Sequence, residues 1–230
     1  MTRKIHRYTS EAIDVTFDAK RCIHAAECVR GLPAVFDRNE RPWAQPGNAD
    51  ADDVAVVVGR CPTGALHFER KDGGEAEPIL GENTITLVED GPLYVRGNVE
   101  VRTANGETVH KETRLALCRC GASANKPFCD NSHLRIEFQD AGGLRINQAA
   151  AAEQESLNVT PLPNGPLLLR GRFEIRSADR QTSYHGTEAE LCRCGGSRNK
   201  PFCDGTHRRI GFTDADEGVA ANARSLQVPN

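Results

Sequence analysis

Nine cysteines in 230 residues are the feature with the most chemistry in it. They fall in three groups of three: Cys22, Cys28 and Cys61; Cys118, Cys120 and Cys129; Cys192, Cys194 and Cys203. An odd count forbids complete disulfide pairing, and the N-terminus shows no apolar export signal, so a reducing compartment is expected and metal binding is the first reading. Histidines accompany the last two groups. Cys118-Arg-Cys120 is followed by Cys129 and His133, and Cys192-Arg-Cys194 by Cys203 and His207. Three thiolates and one imidazole within 16 residues are soft and borderline donors, suited to zinc or to iron–sulfur clusters. A structural zinc of Cys3His type is the plain alternative. Its usual ligand spacing is two to four residues between cysteines, however, and the single intervening residue here suits two ligands on one iron of a binuclear cluster.

The second and third groups belong to a duplication. The offset is 74 residues throughout, from Cys118 to Cys192, Cys129 to Cys203 and His133 to His207. It extends upstream without a gap, since Gly91-Pro-Leu-Tyr-Val-Arg-Gly97 matches Gly165-Pro-Leu-Leu-Leu-Arg-Gly171. Fixed-period self-similarity means a repeated structural unit. The pattern Cys-x-Cys-x2-Ser-x3-Pro-x-Cys-Asp-Gly-x-His resembles the signature of the CDGSH iron–sulfur domain family. The second copy follows it throughout, with Thr206 in the small-residue slot; the first departs once, at Asn131 in place of glycine. Asn tolerates left-handed backbone, so that turn is expected to survive.

The resemblance implies a [2Fe–2S] cluster on each copy. Cys118 and Cys120 would hold one iron and Cys129 and His133 the other, repeated by Cys192, Cys194, Cys203 and His207. It also implies that Ser123 and Ser197 either donate to a cluster sulfur or serve as turn hydroxyls. Asp130 and Asp204 are expected to accept backbone N–H bonds. Arg119 and Arg193 read as solvated or surface-paired.

The N-terminal group has Cys22-Ile-His-Ala-Ala-Glu-Cys28 and then Cys61-Pro-Thr-Gly-Ala. Bacterial ferredoxins use Cys-x2-Cys-x2-Cys with a distant Cys-Pro. Ala25 stands at the middle cysteine position, and the remainder resembles a divergent single-cluster ferredoxin domain. Three thiolates suit a [3Fe–4S] cluster; the alternative is [4Fe–4S] with His24 as the fourth ligand.

The elements that must position these groups are read from periodicity. Ile13–Phe17 and Leu66–Glu69 alternate as half-buried strands, and residues 51–60, bounded by an Asp-rich start and Gly59, read as a helix, with a strand as the alternative for the Val-rich centre. Leu93–Arg96 with Val99–Arg102 looks like a hairpin turning near Gly97, repeated at Leu167–Arg170 and Phe173–Arg176. The cysteine-bearing stretches read as loops. Lys71–Pro78 is a polar boundary, Gln148–Ser156 a helix or a joint, and Ser225–Asn230 a tail.

The expected fold class is α+β: a small ferredoxin-like domain at 1–74, then two mainly-β CDGSH units at 79–150 and 153–230 paired as an intramolecular pseudo-dimer. Units this small with 5% aromatic residues depend on bound metal for stability. A net charge of −3 argues against nucleic acid, and the lack of an 18-residue apolar run against a membrane span. No nucleotide fingerprint or nucleophile motif is present, and the clusters consume every thiol, so no catalytic residue is assigned. The expectation is a cytoplasmic, monomeric carrier of single electrons between redox protein partners. The alternative is a cluster donor to an apo iron–sulfur acceptor, or a redox or pH sensor using His-linked cluster lability.

Overall fold

The structure is a computed structural model that describes residues 4–144 and 156–214. It separates into two compact units between Ile79 and Leu80. The segment read as a helix or joint lies outside the described residues except for Ser156, and the C-terminal tail lies wholly outside them.

In the first unit, β1 (Ile5–Tyr8), β2 (Ile13–Asp18) and β3 (Leu66–Arg70) form an antiparallel sheet in the order β1-β2-β3. The alternation read for β2 and β3 is therefore a true strand signal. A short helix α1 (Glu27–Gly31), a 3-10 turn (Pro46–Asn48) and a helix α2 (Ala51–Gly59) lie between β2 and β3 in sequence. Helix α2 buries Ala51, Val54, Val57 and Val58, the spacing of one helical face. That face completes a core with Ile13, Val15, Val35, Phe36 and Leu66. Asp52 and Asp53 occupy its first turn, where carboxylates suit the helix dipole. Phe36 is buried, and the Trp43 ring packs edge-on to Phe17 at 5.0 Å and Tyr8 at 6.0 Å against the same core.

In the second unit the repeats share one six-stranded sheet. Its strands are β4 (Thr84–Leu87), β5 (Leu93–Arg102), β6 (Thr108–Leu117), β7 (Leu157–Pro161), β8 (Leu167–Arg176) and β9 (Ser183–Leu191). Within a repeat the pairing is antiparallel: β4–β5–β6 and β7–β8–β9. Between repeats it is parallel, β4 with β8 and β5 with β7. Each repeat's first strand is therefore hydrogen-bonded to the long strand of both repeats. The core contains Ile85, Leu93, Val95, Val99 and Leu115 from one repeat and Leu157, Val159, Leu167, Leu169 and Ile175 from the other, all essentially inaccessible. The described chain is mostly β, with short helices.

The expected hairpins are not present. Residues 93–102 and 167–176 are each one ten-residue strand. Gly97 (φ 136°) and Gly171 (φ 105°) lie within them, at register shifts between Arg96 and Val99 and between Arg170 and Phe173. Glycine read as a turn signal is here the bulge residue of a bent strand. A side chain at Gly97 would run into Asn83, and one at Gly171 into the Ser156 carbonyl. Asn83 fills the first bulge, accepting the Asn98 N–H at 2.9 Å and donating to the Arg172 carbonyl at 2.9 Å.

Candidate metal centres

Each repeated loop leaves the end of a long strand and folds back on it. After β6, the Cys118 N–H donates to the Pro127 carbonyl (2.8 Å) and the Cys129 N–H to the Ala116 carbonyl (2.9 Å), which sets Cys129 beside Cys118. After β9, Cys192 and Cys203 repeat this on Pro201 (2.7 Å) and Glu190 (2.8 Å). The Ser123 hydroxyl donates to the Phe128 carbonyl at 2.7 Å and accepts the Asn125 N–H at 2.9 Å. Ser197 does the same with Phe202 and Asn199. Of the two roles open to these serines, the hydroxyls take the turn role. Asp130 accepts the N–H groups of Ala124 (2.8 Å) and Ser132 (3.0 Å), and Asp204 those of Arg198 and Thr206 (both 3.0 Å). These are the expected loop-closing bonds.

Both histidines ride on single helical turns, α3 (Ser132–Arg135) and α4 (Thr206–Arg209). The residue before each turn is left-handed: Asn131 at φ 70° and Gly205 at φ 80°. The substitution therefore preserves the turn, as expected. A side chain at position 205 would meet open space, so the Asn side chain is accommodated at the equivalent place without a steric reason for glycine.

The donors form matching pairs. Cys118 and Cys120 Sγ are 3.8 Å apart, as are Cys192 and Cys194 Sγ. Two sulfurs bonded at about 2.3 Å to one tetrahedral metal stand about 3.8 Å apart. His133 Nδ1 is 3.4 Å from Cys129 Sγ, and His207 Nδ1 is 3.4 Å from Cys203 Sγ. Among the described residues, no three His, Cys, Asp or Glu side chains close on a single ion. The donor set fits a group that takes two ligands from each side.

Backbone donors and burial act on these sulfurs in opposite directions. The N–H groups of Asn131, Gly196 and Gly205 each lie 3.4 Å from a cysteine Sγ, those of Cys129, Cys194 and Cys203 respectively. Such donors favour thiolate. Burial acts the other way, pushing Cys129 and Cys192 up to about 11. In the Cys118–Cys120 pair the mutual hydrogen bond raises Cys118 and lowers Cys120, so the two thiols share their titration. Loading either loop therefore releases protons. The two loops differ in cover. Cys120, Cys129 and His133 are buried, whereas Cys194, Cys203 and His207 are partly exposed.

Arg119 and Arg193 correct the surface reading: both are 1% exposed. Their Nε atoms donate to the Gly91 and Gly165 carbonyls at 2.9 Å, and their guanidinium groups pair with Asp140 and Asp214. Each lies over an aromatic ring, Phe138 at 5.3 Å and Phe212 at 5.4 Å. Where two cysteines two residues apart turn to one side, the residue between them turns to the other. That alternation, present in both copies, was the available signal.

In the first unit, three separate segments bring Cys22, Cys28 and Cys61 together. Cys22 follows the turn after β2, Cys28 is in α1, and Cys61 follows α2. They line a cavity of about 180 Å³ with His24, Ala25, Arg38, Trp43 and Thr63 among its other walls. Burial raises the thiols of Cys22 and Cys28, the His24 N–H and the Arg38 charge partly offset this at Cys22, and Cys61 acts electrostatically on both. Thr63 Oγ1 is 3.5 Å from Cys61 Sγ and accepts the Ala65 N–H at 3.1 Å. The donor chemistry, three thiols around one cavity, fits a cubane-type cluster. Thr63 lies within the Cys61-Pro-Thr-Gly-Ala stretch, whereas Arg38 carried no recognisable signal in the sequence.

Comparison with known proteins agrees with this division. Residues 90–134 and 164–208 match the family of iron-binding zinc fingers of CDGSH type. Residues 8–71 match the divergent 4Fe-4S mono-cluster family. Over 64 residues the chain is 41% identical to the uncharacterized protein YjdI of Escherichia coli (strain K12), covering 28% of this chain and 84% of that one. The YjdI of Escherichia coli O157:H7 matches equally. No solved structure matches the chain. The donor pairs that recur in both loops, and the thiol-lined cavity that precedes them, accordingly belong to a homologue of YjdI that carries a divergent 4Fe-4S mono-cluster domain followed by two iron-binding domains of CDGSH type.

Proposed function

We propose that this iron–sulfur protein carries single electrons between protein partners on three clusters. [2Fe–2S] groups are held by Cys118, Cys120, Cys129 and His133 and by Cys192, Cys194, Cys203 and His207. A cubane-type group is held by Cys22, Cys28 and Cys61. The observation that carries this reading is the pairing of donors, at 3.8 Å and 3.4 Å, repeated without change in two loops 74 residues apart. Such clusters supply reversible one-electron chemistry when bound. The chain's own residues set its terms: backbone N–H groups aimed at the sulfurs offset negative charge, and one neutral imidazole per loop replaces a thiolate, which raises the potential.

Exchange with a partner takes place at the second loop. Its ligands are the less covered, His207 lines an open groove with Glu190, Arg208 and Phe212, and Arg198, Arg208 and Arg209 are exposed around it. The sheet shared by the repeats supports an intramolecular counterpart of a dimer, and hence a monomer. The nine free thiols fit a reducing compartment, and the cytoplasm is the proposed location. Among the described residues no helix is long and apolar enough to cross a membrane.

The exposure of Cys203 and His207 also favours a second reading, donation of the cluster to an apo acceptor. Anaerobic purification followed by iron and sulfide analysis tests the assignment. About seven or eight irons and eight sulfides per chain are expected. Stoichiometric zinc without sulfide refutes it. Reversible reduction with the clusters retained identifies a carrier; transfer to an apo-ferredoxin on mild acidification identifies a donor.

A further inference from the structure

The first unit contains three cysteines, and a four-iron cubane takes four terminal ligands. The cavity wall offers few other donors. Ala25, at the position where the usual motif has cysteine, has none. Arg38 has no free lone pair. Thr63 is buried, with its oxygen accepting the Ala65 N–H and facing Cys61. Glu27, in the first turn of α1, and His24 are both exposed, but among the described residues the Glu27 carboxylate makes no contact with a cysteine sulfur. His24 remains. Its Nδ1 lies 3.8 Å from Cys22 Sγ, so one edge of the ring faces that sulfur on the cavity wall.

The backbone supports the same residue. His24 has φ 55° and Ala26 has φ 66°, both left-handed and neither glycine. Residues held there cost free energy and cluster at functional sites. Left-handed residues also turn successive N–H groups towards a concavity, an arrangement used around iron–sulfur groups. The His24 N–H is aimed at Cys22. The segment between Cys22 and Cys28 thus curves around the cavity with the imidazole as its remaining free donor.

We propose that His24 is the fourth protein ligand of the N-terminal cluster, completing a [4Fe–4S] site with Cys22, Cys28 and Cys61. This rests on the reading of those cysteines as cluster ligands. One ring nitrogen donates its lone pair to the fourth iron and the other keeps its proton, so the ligand is neutral. A neutral ligand leaves the site less negative by one charge than a four-cysteine site, and its potential correspondingly higher.

The test uses the full chain, purified anaerobically and examined in the oxidised state by electron paramagnetic resonance with iron analysis. Oxidised [2Fe–2S] and [4Fe–4S] groups are silent there, whereas a three-iron group is not. The wild type is expected to be silent with about eight irons. His24→Ala is expected to show the three-iron signal and to lose about one iron per chain. His24→Cys is expected to stay silent, to keep about eight irons and to have a lower N-terminal potential. A His24→Ala protein that stays silent with about eight irons overturns the proposal, and so does a wild type that shows the three-iron signal under these conditions. Cys61→Ala separates the proposal from its premise. If that variant and the wild type both carry about four irons, the first unit holds no cluster and the premise itself fails.

Discussion

Arg119 and Arg193 are cations among the most deeply buried side chains of the described molecule, each beneath a cysteine loop. Burial pulls Arg119 below its ordinary value, opposed by the Asp140 charge. Removing the cation while leaving its carboxylate strands a charge in a site that water does not reach. Arg193→Met is expected to destabilise the second unit by about 3–5 kcal/mol, because Asp214 is left buried and unpaired. Adding Asp214→Asn should recover part of that loss. Thermal unfolding followed through the visible cluster absorbance checks both; equal stability of Arg193→Met and wild type would show that the pair contributes nothing. At the ligands, His207→Cys is expected to keep its cluster and lower its potential, since a thiolate adds a negative charge where the imidazole was neutral. An unchanged potential in protein-film voltammetry would remove His207 from the ligand set.

Among the elements, the long strands β5 and β8 depend on a bend that only glycine permits. Gly171→Val adds a β-branched side chain at φ 105° and drives it into the Ser156 carbonyl. A strained backbone costs about 1–3 kcal/mol by itself, so a larger loss is expected, read as a fall in denaturation midpoint. A Cβ added at Gly47 meets only the Ser10 Cβ, at 3.5 Å, so Gly47→Ala serves as the tolerant control. In the first unit, Asp14 ties strand β2 to Arg7 in β1 and to Lys71 just past the end of β3. Lys71 at 2.7 Å, opposed by burial, and then Arg7 at 3.0 Å and the Ser10 N–H hold its carboxyl below the usual range. A depressed folded pKa means that the stabilisation is full above the ordinary carboxylate pKa and fades as pH falls through the folded value. Asp14→Asn should therefore cost about 1 kcal/mol at pH 7. The difference from wild type should shrink below pH about 4. A gap independent of pH in urea titrations would assign the loss to packing instead.

On the scale of the whole second unit, the two motifs meet. A side chain on Gly121 would strike the Cys194 carbonyl, and one on Gly195 the Cys120 carbonyl. Lys126 lies 5.7 Å from the Phe212 ring and Lys200 lies 5.8 Å from Phe138, each reaching into the other repeat. With the parallel pairings β4–β8 and β5–β7, these contacts make the repeats mutually dependent. Gly121→Ala, a change in the first motif alone, is thus expected to shorten the lifetime of the second cluster as well. Release of both clusters with one rate, seen by absorbance after chelator addition, is the expected result. Loss confined to the first would show independent repeats.

The duplication, the donor set and the local turns were legible in the amino-acid order because each depends on residues close in sequence. Asn131 could be read as left-handed from its own side chain, and β2, α2 and β3 from alternation or helical spacing, since periodicity records which face is buried. The same local reading placed a turn at Gly97 and Gly171, because glycine permits a turn and a bulge alike. The choice fell to Asn83 and Ser156, which cross the strands at those points. For Arg119 and Arg193 the Cys-x-Cys alternation marked only the side they turn to; their burial depends on Asp140, Asp214 and two aromatic rings assembled around them. The pairing of each repeat's first strand with the long strand of the other, and the meeting of Cys61 with Cys22 and Cys28, are long-range events. Their free energy comes from surfaces that exist only once distant segments have packed, so tertiary structure alone decided them.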